Sequence, residues 1–344
     1  MAGFYERPLT RRNEMKDFKG KIAVVTGAGS GMGKELALAL AAEGCHLAIC
    51  DIMAETVAET KRECEKIALK GTRVSIHTCD VSQENQVVAF RDAVKKDHHT
   101  EHINLLFSNA GIGGGGSFIR DERADWDKVF AVCWFGVYYC ARAFMPMLIA
   151  SEQGHIINVS SANGFHACFG IDTPHTAYSS AKFAVKGFSE GLIIDLRQNA
   201  PHVKVSVVMP GHIGTNVGYN SQKILGKPNI EDWQSSEVAK VRETMEMRGI
   251  PTAGITDQEI KAMVKMQLEF FRENAPLTPK QAAAIILDGV RNDQWRILVG
   301  EDAKGLDRMV RETPEEAYEL SFMSRLLEKG IYQTLLPPAA TEKS

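Results

Sequence analysis

Short runs of β-branched and aliphatic residues alternate with helix-patterned stretches along most of this chain, and no other feature constrains its fold as strongly. Ile22–Thr26, His46–Asp51, Arg73–Thr78, Ile103–Ser108, His155–Ser160 and Lys204–Met209 read as strands, and Trp295–Val299 as a last one. Helical patterns lie between them, through Ala42 after the first strand and near Glu55–Leu69 after the second. Strands alternating with helices imply βαβ units and a parallel sheet covered on both faces. The expected class is therefore α/β, a doubly wound parallel sheet of about seven strands.

The rhythm breaks after Pro210. Thr215 to Ala275 contains no strand pattern; helices are expected from Ser236 to Arg248 and after Thr256, where Thr256 and Glu259 have the spacing of a capping box. Ile260, Met263, Val264, Leu268 and Phe271 then form one apolar stripe. A further helix begins at Thr278-Pro279, with threonine as cap and proline in the first turn. Thr313 to Lys329 reads as a peripheral helix, and the tail after Leu336 as disordered. The expected organisation is an N-terminal extension (1–18), one domain (19–300) carrying a helical insert (215–275), and a C-terminal extension (301–344).

The 344 residues are 44% hydrophobic and 24% charged with a formal net charge of -3, ordinary for a soluble globular protein. That balance offers no surface for nucleic acid. The seven cysteines include no Cys-x-x-Cys and read as buried reduced thiols, and the ten histidines show no zinc-type spacing. No metal is expected, and a reducing, cytoplasmic setting is. Residues 1–18 carry Arg7, Arg11, Arg12 and Lys16 without an apolar stretch, so they do not read as a signal peptide. The segment Val129 to Ala150 is strongly apolar, but its unbroken run, Val129 to Ala141, is too short to span a bilayer. A buried core or subunit-interface helix is expected there, and no membrane span.

Two motifs carry chemistry. Thr26-Gly27-Ala-Gly-Ser30-Gly31-Met32-Gly33 joins the first strand to its helix. Such a turn sets backbone N–H groups and a helix N-terminus against a pyrophosphate, and its glycines let the backbone approach closely. Asp51 ends the second strand, where a carboxylate can bind both adenosine ribose hydroxyls and would repel a 2′-phosphate; Ser30 and Ile52 bring no compensating cation. NAD is the expected cofactor, with NADP not excluded. The second motif is Tyr178 and Lys182, four apart on one helix face. An ammonium beside a phenol favours the phenolate, so the pair can serve as a general base.

With these motifs the chain closely resembles the short-chain dehydrogenase/reductase family over about residues 18–300, the 215–275 insert excepted. The resemblance implies a Rossmann-type fold. Cys79-Asp80-Val81 looks like the family's adenine-binding turn, and Ser108-Asn109-Ala110-Gly111 like its Asn-Asn-Ala-Gly. Ile156 to Ser161 looks like the catalytic serine strand, with Ser161 the active hydroxyl; Pro210-Gly211, Ile213 and Thr215 look like the loop that holds the nicotinamide amide. The implied reaction is hydride exchange between a secondary alcohol and nicotinamide. Tyr178 would be general base, Ser161 would bind the substrate oxygen, and Lys182 would lower the tyrosine pKa and grip the ribose. Cys133 departs from the pattern, standing where the family has an asparagine that helps hold a water beside the lysine. A thiol bonds weakly, which leaves that relay in doubt. The Ser161–Tyr178 spacing is also longer than usual, through Phe165 to His175, a loop expected to border the substrate.

The methionines and apolar stripe of the insert fit a lid over a bulky, lipophilic alcohol or ketone, or else an ordinary packed face. Alternatives in function are an NADP-dependent carbonyl reductase and a non-catalytic nucleotide-binding protein on the same fold. The glycine spacing does not match that of related epimerases and dehydratases. Family members pair through the fourth and fifth helices, which implies a homodimer or homotetramer.

Overall fold

Strands at the centre of a parallel sheet are covered on both faces and must be apolar on both. Accordingly β1 (Ile22–Thr26), β2 (His46–Asp51), β4 (Leu105–Ser108) and β5 (Gly154–Val159) are buried along almost their whole lengths. The edge strand β3 (Val74–Thr78) admits Ser75, His77 and Thr78 at its half-exposed positions. With β6 (Val203–Pro210) and β7 (Arg296–Val299) they form one parallel sheet in the order β3-β2-β1-β4-β5-β6-β7. This is the Rossmann-type, doubly wound arrangement, and the order reverses between β1 and β4. The computed structural model describes residues 15–168 and 173–331.

Two helical layers sandwich the sheet. On one face α1 (Gly31–Ala42) packs Leu36, Ala37 and Leu40 into a core cluster that includes Ile49, Phe107, Ile286 and Val290. Beside α1 lies α2 (Ala54–Ile67). On the other face α3 (Glu84–His98) and a long helix supply Phe90, Val94, Phe144 and Met147. The long helix runs as α4 (Arg123–Phe130), a π-helical turn (Ala131–Phe135) and α5 (Gly136–Ile149). It is long and apolar enough to cross a membrane, but 56% of its most apolar window is buried in the fold, as in a core helix. Next comes α6 (Thr176–Asn199), which packs on β6.

The insert holds α7 (Val217–Ile224), α8 (Ser235–Met247) and α9 (Asp257–Glu273). α10 (Pro279–Arg291) then returns the chain to the sheet and packs on α1. Both predicted threonine caps form: Thr256 Oγ1 accepts from Glu259 N, and Thr278 Oγ1 from Gln281 N, each at 3.3 Å. α7 was not expected, because its sequence is mostly polar. The apolar side chains of the insert divide: Ile230, Val238 and Ile260 are buried, whereas Met247 and Met266 are more than half exposed.

The single helix expected over Thr313–Lys329 is a correction. The chain forms α11 (Glu301–Glu312), a 3-10 turn at Pro314–Glu316 and α12 (Leu320–Glu328). Proline lacks the N–H that would continue the helix. Nor are these elements merely peripheral, since Leu306, Met309, Phe322 and Leu326 form a small core with Ala162 and Phe165 beyond β5. At the other end, Met15 and Phe18 of the N-terminal extension are buried, with the Arg291 guanidinium over the Phe18 ring. The tail after Leu336 lies outside the described residues.

Candidate active site

At the switch point, the C-terminal ends of β1 and β4 are tied together by short polar contacts. Thr26 Oγ1 accepts from the backbone N–H groups of Asn109 and Ala110 at 3.0 and 3.1 Å. Asn109 Nδ2 donates back to Thr26 O at 3.0 Å and to Gly27 O at 3.3 Å. Backbone approach is so close here that a Cβ on Gly33 would lie 2.2 Å from Gly27 O, and one on Gly27 would lie 2.7 Å from Ala110 Cα, with Gly27 also at φ +65°. Only glycine fits either place. The result is a tight turn whose Gly27, Ser30 and Gly31 line a groove at the start of α1.

That groove, ≈ 850 Å³ with its open mouth, is lined by Gly27, Ser30, Gly31 and Met32, by Asp51 and Ile52, by Asp80 and Val81, by Asn109, Ala110 and Gly111, and by Thr215. Each of these is a residue that the sequence singled out. Among the described residues no lysine or arginine lines the groove. Asp51 accepts from Gly29 N at 2.9 Å and from Met53 N at 3.0 Å, which fixes the carboxylate at the end of β2. Partial burial opposes ionisation of Asp80, but hydrogen bonds from Lys128 and Ser82 outweigh it and hold its carboxyl below the usual range. Gly33, Pro210, Gly211 and Ile213 are not among the groove's lining residues; Pro210 ends β6, and Gly211 and Ile213 lie on the loop that follows it.

Beyond the groove, Ser161 follows β5 and caps a 3-10 turn, its Oγ accepting from Asn163 N at 3.1 Å. Tyr178 and Lys182 stand on the first turns of α6. Hydrogen bonds rivet that helix to the serine strand and the turn after it, among them Ser160 Oγ to Lys182 O at 2.7 Å, Asn163 Nδ2 to Ser179 Oγ at 3.3 Å, and Asn158 Nδ2 to Ser189 Oγ at 3.0 Å. Its first free amides, those of Thr176 and Ala177, donate to Gly116 O and Gly115 O, both at 3.0 Å. The glycine run 113–116 thus serves as the N-terminal cap. The structure brings Ser161, Tyr178 and Lys182 together. Lys182 Nζ sits 5.5 Å from the Tyr178 ring centre while donating to Val159 O at 2.9 Å, and the Ser161 hydroxyl is near enough to act on the phenol. Burial pushes the Tyr178 phenol up from its ordinary value, against the downward pull of Lys182 and of the Ser161 hydroxyl.

Cys133 lies within the π-helical turn. Its Sγ donates to Ile112 O at 3.2 Å and accepts from Ile112 N at 3.5 Å. The thiol therefore clasps the strand-end loop directly. Gly111 separates it from Lys182: a Cβ there would lie 3.7 Å from Cys133 Sγ and 3.5 Å from Lys182 Nζ.

Several contributors were invisible in the sequence. Asn220 Nδ2 donates to Ser30 Oγ at 3.0 Å and Gly113 N to Ser221 Oγ at 2.8 Å, so α7 spans the glycine turn and the loop after β4. Thr26 and Lys128 act on the groove as described. His175 packs edge-on against Tyr178, with ring centres 6.0 Å apart. The loop expected to border the substrate is described only at its two ends; residues 169–172 lie outside the described residues.

A doubly wound sheet, a glycine turn at its switch point and a serine–tyrosine–lysine cluster beyond it define a nucleotide-binding oxidoreductase class. The chain belongs to the short-chain dehydrogenase family, whose family model, described as short chain dehydrogenase, matches residues 21–224. It is 34% identical over 298 residues to SadH of Mycobacterium tuberculosis, a protein with an oxidoreductase name, covering 86% of this chain and 92% of that one. It is 34% identical over 203 residues to human epidermal retinol dehydrogenase 2, covering 59% of this chain and 63% of that one. Among solved structures, a short-chain dehydrogenase/reductase from Burkholderia phymatum in complex with NAD superposes with a TM-score of 0.69 at 26% identity. That match covers 87% of this chain and 95% of that chain.

Proposed function

We propose that this protein is an NAD-dependent alcohol dehydrogenase, exchanging a hydride between a bulky, lipophilic secondary alcohol and the nicotinamide. The observation that carries the reading is the junction of two features. A groove with acidic and amide groups, and among the described residues no lysine or arginine in its lining, leads to Ser161, Tyr178 and Lys182, with the Lys182 ammonium 5.5 Å from the Tyr178 ring centre. The NAD-bound Burkholderia structure and the retinol dehydrogenase similarity support the cofactor and the alcohol class.

The residues present fit a dinucleotide. The Gly27–Gly33 turn and the N-terminus of α1 would hold the pyrophosphate. Asp51 would take the ribose hydroxyls, Asp80 and Val81 the adenine, Asn109 to Gly111 the central wall, and Pro210 to Thr215 the nicotinamide side. When bound, the nicotinamide supplies the hydride acceptor. In the oxidative direction Tyr178 takes the hydroxyl proton of the alcohol. Ser161 donates a hydrogen bond to the substrate oxygen and steadies its developing charge. Lys182 favours the tyrosinate and would grip the ribose hydroxyls. Positioned proton transfer of this kind contributes about 10²–10⁴-fold.

The insert supplies apolar surface for the substrate, with Met247, Met263 and Met266 exposed on α8 and α9. A second copy of the chain is the expected partner, meeting the aromatic face where Phe135 stacks on Tyr139 and Trp134 meets Phe188 edge-on, with Phe135 and Phe183 exposed. A spectrophotometric screen tests the reading: NAD or NADP is supplied with a panel of lipophilic secondary alcohols. NADH formation from a bulky alcohol, with NADP used poorly, is the expected result. Equal use of NADP would remove the Asp51 argument, and no turnover across the panel would remove the substrate class.

A further inference from the structure

Beyond Pro210 the chain is held from two sides by residues that lie outside the 21–224 segment matched by the family model. From the C-terminal extension comes Asp302, in the first turn of α11, where a carboxylate also suits the helix dipole. Its Oδ2 accepts from His212 N at 2.6 Å. The carboxylate fills the space beside two glycines: a Cβ at Gly211 would lie 2.2 Å from Oδ2, and one at Gly300 would lie 2.3 Å from Oδ1.

From the insert comes the end of α9. His212 Nε2 lies 2.6 Å from Phe271 O, and the His212 and Phe271 ring centres are 4.2 Å apart. A carbonyl only accepts, so Nε2 carries the hydrogen. Gly214 N donates to Leu277 O at 2.9 Å, and a Cβ on Gly214 would lie 2.5 Å from Arg272 O. His212 itself is buried, 4% exposed. At the far end of the loop, Thr215 lines the groove and lies 3.3 Å from where a Cβ on Gly31 would be. A displacement of this loop therefore moves the wall that faces the glycine turn.

We infer that Asp302 is a positioning residue: through the His212 N–H it sets the Pro210–Thr215 loop for the nicotinamide, and the His212 ring couples that setting to the insert. The inference rests on the dehydrogenase reading. It makes the C-terminal extension part of the reaction apparatus, since a misplacement of about 1 Å at a reacting centre can cost about 10²-fold.

The test compares the full-length native protein with Asp302→Ala and Asp302→Asn by NADH fluorescence titration, steady-state kinetics on one alcohol, and thermal unfolding. Loss of a hydrogen bond to a charged group predicts that Asp302→Ala weakens NADH binding, or kcat/KM for NAD, by about ten- to hundredfold. Asp302→Asn keeps an acceptor oxygen for the His212 N–H and restores both to near-native values, whatever its melting temperature. Should Asp302→Ala fail to fold, Asp302→Ser carries the same test, because its shorter side chain cannot reach the amide. An Ala or Ser variant that melts lower yet binds NADH and turns over as the native protein does would reduce Asp302 to a structural strut and overturn the inference. A native protein that binds NADH but oxidises no alcohol would overturn the dehydrogenase reading instead, and the NADH titrations would still judge Asp302.

Discussion

At Tyr178 burial and charge pull in opposite directions. Burial raises the phenol, while Lys182 and the Ser161 hydroxyl lower it, and in the free protein burial prevails. In the proposed reaction alcohol oxidation needs the tyrosinate, so its rate should climb with pH on the alkaline side of neutrality. Lys182→Met removes the downward pull and should shift that limb to higher pH. A kcat/KM profile against pH checks this, and a limb that stayed put or moved lower would contradict it. Cys133 makes a second residue-scale prediction. Cys133→Ser keeps a donor and an acceptor for Ile112 and should fold and turn over near native levels. Cys133→Val strands a buried amide and carbonyl and should cost about 1–3 kcal/mol in urea unfolding. Gly27, Asp51, Tyr178 and Lys182 were legible because their chemistry depends on local spacing. His212 and Asp302 were not: their partners lie 59 and 90 residues away, and no local pattern records such a contact.

Among the elements, α7 shows where sequence reading stops. Val217–Ile224 buries only Ser221 and has no apolar stripe. Its helix is set by tertiary contacts, with Asn220 on Ser30, Ser221 on the loop after β4, and Gly218 against Leu268 of α9. A Cβ at Gly218 would lie 2.6 Å from Leu268 Cδ2. Gly218→Val should therefore wedge α7 from α9 and raise the KM for cofactor by about tenfold, a cost of about 1.4 kcal/mol and within the range for overpacking. Steady-state kinetics checks this; an unchanged KM would mean that α7 contributes nothing to the groove. α8 to α10 were legible by contrast, because capping threonines and apolar periodicity are local signals. α11 was not, because charged residues dominate it and its few apolar positions face only the small core beyond β5.

For the whole molecule, the alternation of strands and helices carried the fold, since a parallel sheet buried on both faces leaves few other solutions. The same burial sets the response to acid. His155 is enclosed between β5 and β6, its Nε2 2.8 Å from Ser206 Oγ, and burial lowers its pKa to about 3. Burial likewise lowers His98 and His175 to about 4. Each binds its proton in the unfolded chain near 6.5 but not in the folded one. The unfolded state then takes up more protons, and stability is present above 6.5 and lost as pH falls towards 4. Urea midpoints should drop steadily between pH 7 and 5, and a flat midpoint would contradict the burial of these rings.

In the proposed reaction Tyr178 moves the proton while the groove binds the cofactor independently of it. The direct measurement sets the native protein beside Tyr178→Phe, with NADH binding and alcohol turnover followed in the same samples. The account predicts unchanged NADH affinity and turnover reduced by at least about 10²-fold in the variant. A Tyr178→Phe protein that oxidises the alcohol at the native rate would contradict it.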